Sequence, residues 1–167
     1  MDIRQGGGTM VRDVLASAGL QVLPYLLAPS GALDAKWLVD LLELRVLMLS
    51  WTAAKAAENA GKEDVERLRA ALDDLLGAPT AEAVQLADYA FFEAMVTAAN
   101  NRVIVLLANA VREVYMENSA LFLGLYAANF QATEHQQAFE AIESGDVTKA
   151  HTAMESYGQR ALGGGVA

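Results

Sequence analysis

Apolar residues recur at helical spacing along most of the chain after residue 33. One predicted helix, over residues 80–100, carries on a single face the residues Val84, Asp88, Phe91, Phe92, Met95 and Ala99. A carboxylate therefore interrupts an otherwise apolar stripe, and burying a carboxylate is costly unless another group pairs with it. The pattern marks Asp88 either as part of a ligand site or as a residue that tilts to the rim and bonds to a neighbouring helix end.

The same spacing predicts further helices over residues 34–59, 62–76, 102–118 and 132–145, with a last helix that begins at Asp146. The first of these is apolar on nearly every side, which is typical of a helix that is central in a bundle or lies in an oligomer interface. The helix over 102–118 is expected to bury Val103, Leu106, Leu107, Ala110, Val114 and Tyr115. Residues 119–132 either continue that helix or break it. The expected fold is all-α, an antiparallel bundle of six or seven helices.

The two ends of the chain differ from this pattern. Between Ile3 and Arg12 a glycine-rich turn separates two short β-compatible runs, which predicts a short β-hairpin. Residues 13–32 are expected to form a linker with one short helix over Leu20–Leu27, and residues 163–167 a glycine-rich tail.

Composition narrows the possible functions. The chain has 167 residues, which suits one domain, and a net charge of −9, which disfavours direct contact with nucleic-acid phosphates. The absence of cysteine excludes disulfides, thiolate zinc sites and cysteine nucleophiles. The uncharged runs are interrupted by glycine, proline and polar residues, so we expect no membrane span and no signal peptide. These features indicate a cytoplasmic helical protein.

Four polar side chains on four predicted helices point toward the core: Arg45, Asp88, His135 and Tyr157. Arg45 is expected either to pair with an acid such as Glu43 or Asp88 or to bind an anion. Convergence of the four favours an internal cavity for a ligand. An enzyme that uses Asp88 and His135 as an acid–base pair is an alternative, but no nucleophile with a base and an orienting group can be named. A second alternative is a helical interaction module whose core is filled by side chains.

Several short motifs, in order along the chain, match a known family. They are Arg4-Gln5-Gly6-Gly7-Gly8-Thr9, Glu43-Leu44-Arg45, Asp88-x-x-Phe91-Phe92, Ala98-Ala99-Asn100-Asn101, Glu134-His135, Ala141-Ile142, Gly145-Asp146, Ala150 and Met154. The first resembles the wing of the winged helix-turn-helix in GntR-type transcription regulators. The rest resemble the effector-binding domain of their FadR subfamily. The resemblance implies a wing remnant over 1–12, with Arg4, Gln5, Gly7 and Thr9 near DNA, and an effector-binding domain over 33–162.

The resemblance also implies where a metal or an effector would bind. Many members of the subfamily hold a divalent metal at positions that correspond to Asp88, Phe92, His135 and Tyr157. Two of these four cannot act as the usual ligands here, so we predict no metal and no other cofactor. The fatty-acid regulator of the subfamily has the same phenylalanine and tyrosine replacements. The similarity of this chain to that regulator implies an effector site formed by Arg45, Asp88, Phe92, Met95, His135 and Tyr157.

The implied effector is a fatty acyl-CoA or another apolar carboxylate, because Phe92 makes the cavity more apolar. A metal-dependent sensor of small carboxylates from the same family is the alternative. The fatty-acid regulator has a glutamate and a tryptophan that face the coenzyme. This chain has Arg160 and Gly165 at those positions, which argues against recognition of the coenzyme moiety. The helix-turn-helix that should precede the wing is missing from the sequence, and the intact protein is expected to bind DNA as a homodimer.

Overall fold

The structure of the protein is a computed structural model. It describes residues 2–4, 7–10, 19, 22, 25–26, 34–117, 119–126 and 130–164. The helices of these ranges are α1 (Ala35–Asn59), α2 (Lys62–Gly77), α3 (Ala81–Ala98), α4 (Arg102–Glu117), α5 (Ser119–Phe122), α6 (Thr133–Ser144) and α7 (Val147–Gly164), with a 3-10 turn at Leu123–Leu125. The prediction of an all-α bundle is confirmed.

Local sequence signals account for the ends of most helices. The Asp34 carboxylate accepts hydrogen bonds from the backbone N–H groups of the first turn of α1, and the Thr80 hydroxyl does the same for α3. Asn100 adopts a positive φ of 50° just after α3, as the sequence suggested, and Gly145 ends α6 with a φ of 74°. The Asn101 side chain then accepts from two N–H groups in the first turn of α4. Short connections therefore hold successive helices antiparallel.

The longest helix pair, α1 and α7, lies at the centre of the fold. The two helices approach most closely where Gly158 of α7 faces Val46 of α1. A Cβ atom added to Gly158 would lie 2.9 Å from Val46 Cγ2 and 3.0 Å from its Cα. Only glycine fits such a contact without a shift of the backbone. The buried faces of α2, α3 and α6 complete a single core with these helices.

The predicted inward face of α4 is wrong for the first half of the helix, whereas Tyr115 packs against the core as predicted, and the side chain of Val114 lies outside the described residues. Val103 and Leu106 are 66% and 69% exposed, and Leu107 is also exposed, whereas Ile104 and Ala108 are buried. The helix is apolar around much of its circumference, so two different faces carry apolar residues at spacings of three or four. Periodicity alone could not choose between them. On α1, similarly, Leu44, Leu47 and Trp51 are exposed while Leu42, Val46 and Leu49 are buried.

The N-terminal hairpin is present as β1 (Asp2–Arg4) paired antiparallel with β2 (Gly7–Met10). Gln5 and most of the predicted helix over Leu20–Leu27 lie outside the described residues. Helix α7 continues through Gly164, two residues into the expected tail. Among the helices that the structure describes, none combines the length and the apolar character that a membrane crossing needs.

Candidate functional site

The Asp88 carboxylate lies in the core and has protein partners on both oxygens. Oδ2 accepts hydrogen bonds from Arg45 Nη2 at 3.2 Å and from the Tyr126 hydroxyl at 2.8 Å. Oδ1 lies 2.7 Å from His135 Nε2. Asp88 is only 6% exposed, so these bonds replace water that the carboxylate loses on folding. Of the alternatives for Arg45, pairing with Asp88 is the one that the structure shows, and His135 contacts the same carboxylate.

Five separate elements deliver the side chains of this cluster. Arg45 comes from the middle of α1, Asp88 from α3, Tyr126 from the end of the 3-10 turn, His135 from α6 and Tyr157 from α7. The four members on α-helices lie on inward faces, because apolar residues one turn away from them are buried in the core. The cluster therefore depends on the packing of the whole bundle and not on one local motif.

The Tyr157 ring supports the cluster from the α7 side. The Arg45 Cζ atom lies 4.8 Å from the centre of this ring, and the His135 ring centre lies 4.3 Å from it in an edge-to-face arrangement. Phe91 and Phe130 contact the other parts of the His135 ring, at centroid distances of 5.2 and 5.7 Å. A charged and hydrogen-bonded centre is thus enclosed by aromatic rings, where electrostatic interactions are stronger than in water.

The environment shifts the pKa values of the cluster. Burial alone would raise the pKa of Asp88, but the hydrogen bond from His135 and the charge of Arg45 lower it well below its usual range. Burial and the negative charge of Asp88 raise the pKa of Tyr126 and of Tyr157 well above the ordinary value. Asp88 is therefore ionised at neutral pH, and both tyrosine hydroxyls keep their protons.

An aromatic column connects the cluster with α4 and α5. Tyr89 of α3 stacks on Tyr115 of α4 at a centroid distance of 5.0 Å, and Tyr115 stacks on Phe122 of α5 at 5.3 Å. The Tyr115 hydroxyl lies 3.3 Å from the hydroxyl of Tyr126, which in turn donates to Asp88. The C-terminal half of α4 is thereby joined to the buried carboxylate by a continuous set of contacts.

The predicted site residues fall into three groups. Arg45, Asp88, His135 and Tyr157 meet in one cluster, as their convergence suggested. Phe92 and Met95 are buried on the same face of α3, one and two turns further along. Phe92 packs edge-to-face against Tyr89, with 6.0 Å between the ring centres.

The N-terminal residues predicted near DNA form the third group. Arg4, Gly7 and Thr9 lie in the hairpin strands, far along the chain from the cluster, and Gln5 is outside the described residues.

Sequence reasoning missed Tyr126 as a member of the cluster. Tyr126 follows a four-residue helix and a 3-10 turn, so no helical period assigns its side chain to a face. The available signal was its spacing of four from Phe130, which also contacts His135. The sequence does not show that Tyr126 and Phe130 both pack beside the cluster.

A second ion pair flanks the cluster at the start of α6. Arg160 Nη2 lies 2.6 Å from Glu134 Oε2 and donates to the Gln131 carbonyl oxygen at 3.3 Å. Its guanidinium also lies over the outer part of the Tyr157 ring, 5.8 Å from the centre. Arg160 therefore ties the C-terminal half of α7 to the segment that places His135.

The residues present do not fit a divalent metal ion. One carboxylate and one imidazole are available, and the positions of the other two family ligands hold Phe92 and Tyr157. Both Asp88 oxygens already face protein donors, and the Arg45 guanidinium beside them would repel a cation. In the described ranges, no group of three or more histidine, aspartate or glutamate side chains is arranged to hold a metal.

Comparison with known protein families identifies the domain that forms the bundle. The FCD domain matches residues 40–160, which covers most of the bundle from α1 to α7. The chain belongs to this family, which forms the C-terminal domain of GntR-type transcription regulators. Such a domain is regulatory, so the prediction that the chain is not an enzyme agrees with the family.

Individual relatives are regulators too. The chain is 30% identical over 158 residues to the HTH-type transcriptional regulator Rv0494 of Mycobacterium tuberculosis H37Rv. The matched region is 94% of this chain and 64% of that protein. The chain is 33% identical over 156 residues to Mce2R of M. tuberculosis CDC 1551, covering 93% and 65% of the two chains. LutR of Bacillus subtilis is 28% identical over 162 residues, covering 92% and 72%. The chain thus spans slightly less than two thirds of the mycobacterial relatives.

Proposed function

We propose that this chain is the effector-binding and dimerisation domain of a FadR-like transcription regulator, and that the effector binds beside the Asp88 cluster. The observation that supports the proposal is the burial of Asp88 and His135 among aromatic rings, with the partly buried Arg45 paired to Asp88, in a regulatory domain. Buried charged groups are costly, and a site that keeps them usually uses them. The effector-binding domain would extend over residues 33–162.

Arg45 is the residue best suited to meet an acidic effector. Its side chain remains 25% exposed, and the hydrogen bond to Asp88 uses only one of its five N–H groups. A carboxylate or a thioester carbonyl could therefore approach the guanidinium from the solvent side without displacing Asp88. Phe92, Met95 and the rings around His135 are packed in the core, and the apolar remainder of a ligand would contact them by displacing their present neighbours. These features favour a fatty acyl-CoA or another apolar carboxylate.

Calorimetric titration with fatty acids and their acyl-CoA esters tests the effector. We expect binding to weaken at least about tenfold in Arg45→Gln, because an ionic hydrogen bond to the ligand is lost. The matched control is Arg69→Gln. Arg69 also pairs with a carboxylate and lies over an aromatic ring, but on the surface. Binding that is unchanged in Arg45→Gln, or lost equally in both variants, would contradict the assignment.

We propose that the second copy in a homodimer covers the exposed apolar surface of α4. Val103, Leu106 and Leu107 share one face of that helix, and such a face is unusual on an isolated domain. The exposed Leu44, Leu47 and Trp51 of α1 are further candidates for the interface. In light scattering after gel filtration, Leu106→Lys should shift the mass from dimer toward monomer. Leu76→Lys, at an exposed leucine on α2, should leave the mass unchanged.

DNA contact in the intact protein is proposed to come from a winged helix-turn-helix outside this chain. Residues 1–12 would form the end of its wing, with Arg4, Gln5, Gly7 and Thr9 close to the DNA backbone. Two such domains on a dimer would bind two half-sites, and the effector would change their relative geometry in the cytoplasm. The corresponding longer protein should bind operator DNA with an affinity that the effector changes, which a fluorescence-anisotropy titration would measure.

A further inference from the structure

One ring nitrogen of His135 is buried without a hydrogen-bond partner among the described residues. The side chain is 1% exposed, and its Nδ1 atom makes no hydrogen bond, whereas Nε2 lies 2.7 Å from Asp88 Oδ1. Buried polar atoms are nearly always paired in folded proteins. Nδ1 is therefore a site that a bound molecule could satisfy.

The chemistry of Asp88 decides what kind of group Nδ1 requires. An ionised carboxylate can only accept hydrogen bonds, so the ring nitrogen that faces it must carry the hydrogen. In the neutral ring the other nitrogen, Nδ1, is then a bare acceptor. Arg45 already balances the charge of Asp88, and a second cation in this buried cluster would be uncompensated. The ring therefore presents a lone pair and not an N–H group.

We infer that His135 Nδ1 selects effectors that carry a hydrogen-bond donor, a hydroxyl or an amide N–H, close to the acidic or acyl head group. This inference rests on the proposed effector site and narrows its ligand class. Arg45 and His135 both pack against the Tyr157 ring, and both contact the Asp88 carboxylate. A plain fatty acid would satisfy Arg45 and leave Nδ1 unpaired. A ligand with both groups would satisfy both residues.

The tautomer is tested first, without any ligand. The chain has only two histidines, so ¹⁵N NMR of the imidazole rings gives two sets of signals, and His151→Gln assigns them. His135 should show a protonated Nε2 and a bare Nδ1. A hydrogen on Nδ1 would overturn the inference directly, whatever ligand the domain binds.

Selectivity is tested with two pairs of ligands that differ in the donor. N-octanoylglycine is compared with its ester isostere octanoyloxyacetate, and 3-hydroxyoctanoate with 3-methoxyoctanoate. At least one donor-bearing ligand should bind about five- to tenfold more tightly than its partner, and it should shift the Nδ1 signal. Equal affinity within both pairs would contradict the inference while leaving the effector site intact. If none of the four bound, the proposed function itself would fail for this ligand class.

His135→Gln separates the acceptor from the structural role of the ring. The glutamine amide nitrogen can still donate to Asp88 in place of Nε2, but the side chain offers no acceptor at the Nδ1 position. We expect this variant to remain folded by circular dichroism and to bind both members of each pair equally. His151→Gln, on the exposed side of α7, is the control and should keep the discrimination. Discrimination that persists in His135→Gln would also contradict the inference.

Discussion

Two regions of the molecule contain the same three groups, an arginine, a carboxylate and an aromatic ring, in different surroundings. At the centre, Arg45 pairs with Asp88 at 3.2 Å and lies 4.8 Å from the Tyr157 ring centre. On the surface, Arg69 of α2 pairs with Glu143 of α6 at 2.6 Å and lies 4.6 Å from the Phe139 ring centre. The surface set has the shorter distances.

The difference between the two sets shows that environment, not distance, decides what an ion pair contributes. The side chains of Arg69 and Glu143 are about half exposed, so water solvates both charges whether or not they pair. The Asp88 side chain is 7% exposed and cannot recover water if Arg45 is removed. Loss of one partner should therefore cost more at the centre than at the surface, although the surface pair has the shorter distance.

Removing one partner from each pair should show the largest difference. Asp88→Ala leaves Arg45 and two hydrogen-bond donors without an acceptor, so we expect a loss of about 3–5 kcal/mol in the free energy of unfolding. Glu143→Ala should lose less than about 1 kcal/mol. Urea denaturation followed by circular dichroism measures both. Equal losses would show that burial does not distinguish the two regions.

The contact between α1 and α7, next to the central pair, should not tolerate a larger side chain at Gly158. In Gly158→Ala the new methyl group would meet the backbone of Val46 at about 3 Å, so we expect a loss of about 1–3 kcal/mol. Gly77→Ala is the matched control, because a Cβ there meets nothing within 4 Å. Thermal unfolding of both variants gives the comparison. A Gly158→Ala protein as stable as the wild type would mean that α1 and α7 can separate freely.

Acid should weaken the central pair through Asp88. The folded-state pKa of Asp88 is depressed, so its contribution is complete above the unfolded value of about 3.9 and is lost as the pH falls below it. Between pH 6 and pH 3 the wild type should lose about 1–2 kcal/mol more stability than Asp88→Asn does. Glu143→Gln should follow the wild-type curve. An identical pH dependence in Asp88→Asn would contradict the assigned protonation state.

Salt should produce the smallest effect, and only at the surface. Ions screen exposed charges within about 3 Å at 1 M salt but reach a buried pair poorly. A double-mutant cycle on Arg69 and Glu143 should give a coupling of a few tenths of a kcal/mol that disappears in 1 M NaCl. The coupling of Arg45 with Asp88 should persist. Comparable screening of both couplings would indicate that water reaches the centre.

The sequence predicted the central cluster well because helical periodicity carries most of it. Asp88 interrupts an apolar stripe, and His135 begins another with Phe139 and Ile142, so both had to point inward. Their pairing then followed from the cost of burying an isolated carboxylate. No comparable rule applied to Tyr126, whose position depends on a 3-10 turn, or to the Nδ1 atom of His135, whose isolation depends on neighbours from three elements.

The orientation of α4 could not be predicted for a different physical reason. Apolar residues cover more of its circumference than one core face needs, and the sequence does not say which face meets the core. In the structure Ile104 and Ala108 are buried, and Leu106 and Leu107 are exposed. These leucines remain outside, where a partner molecule could bury them.

The glycine contact between α1 and α7 has a mechanical consequence. Arg45 and Tyr157 each adjoin one of the two residues in that contact, Val46 and Gly158. Gly158 contributes no side chain to the contact, so the α7 backbone lies directly against Val46. A ligand that pushes Tyr157 outward must carry the backbone of α7 with it or bend α1. The part of α1 that precedes Arg45 is a rigid rod of about 15 Å. A small rotation at the contact therefore becomes a larger movement at Ala35, where the chain leads back toward its N-terminal hairpin.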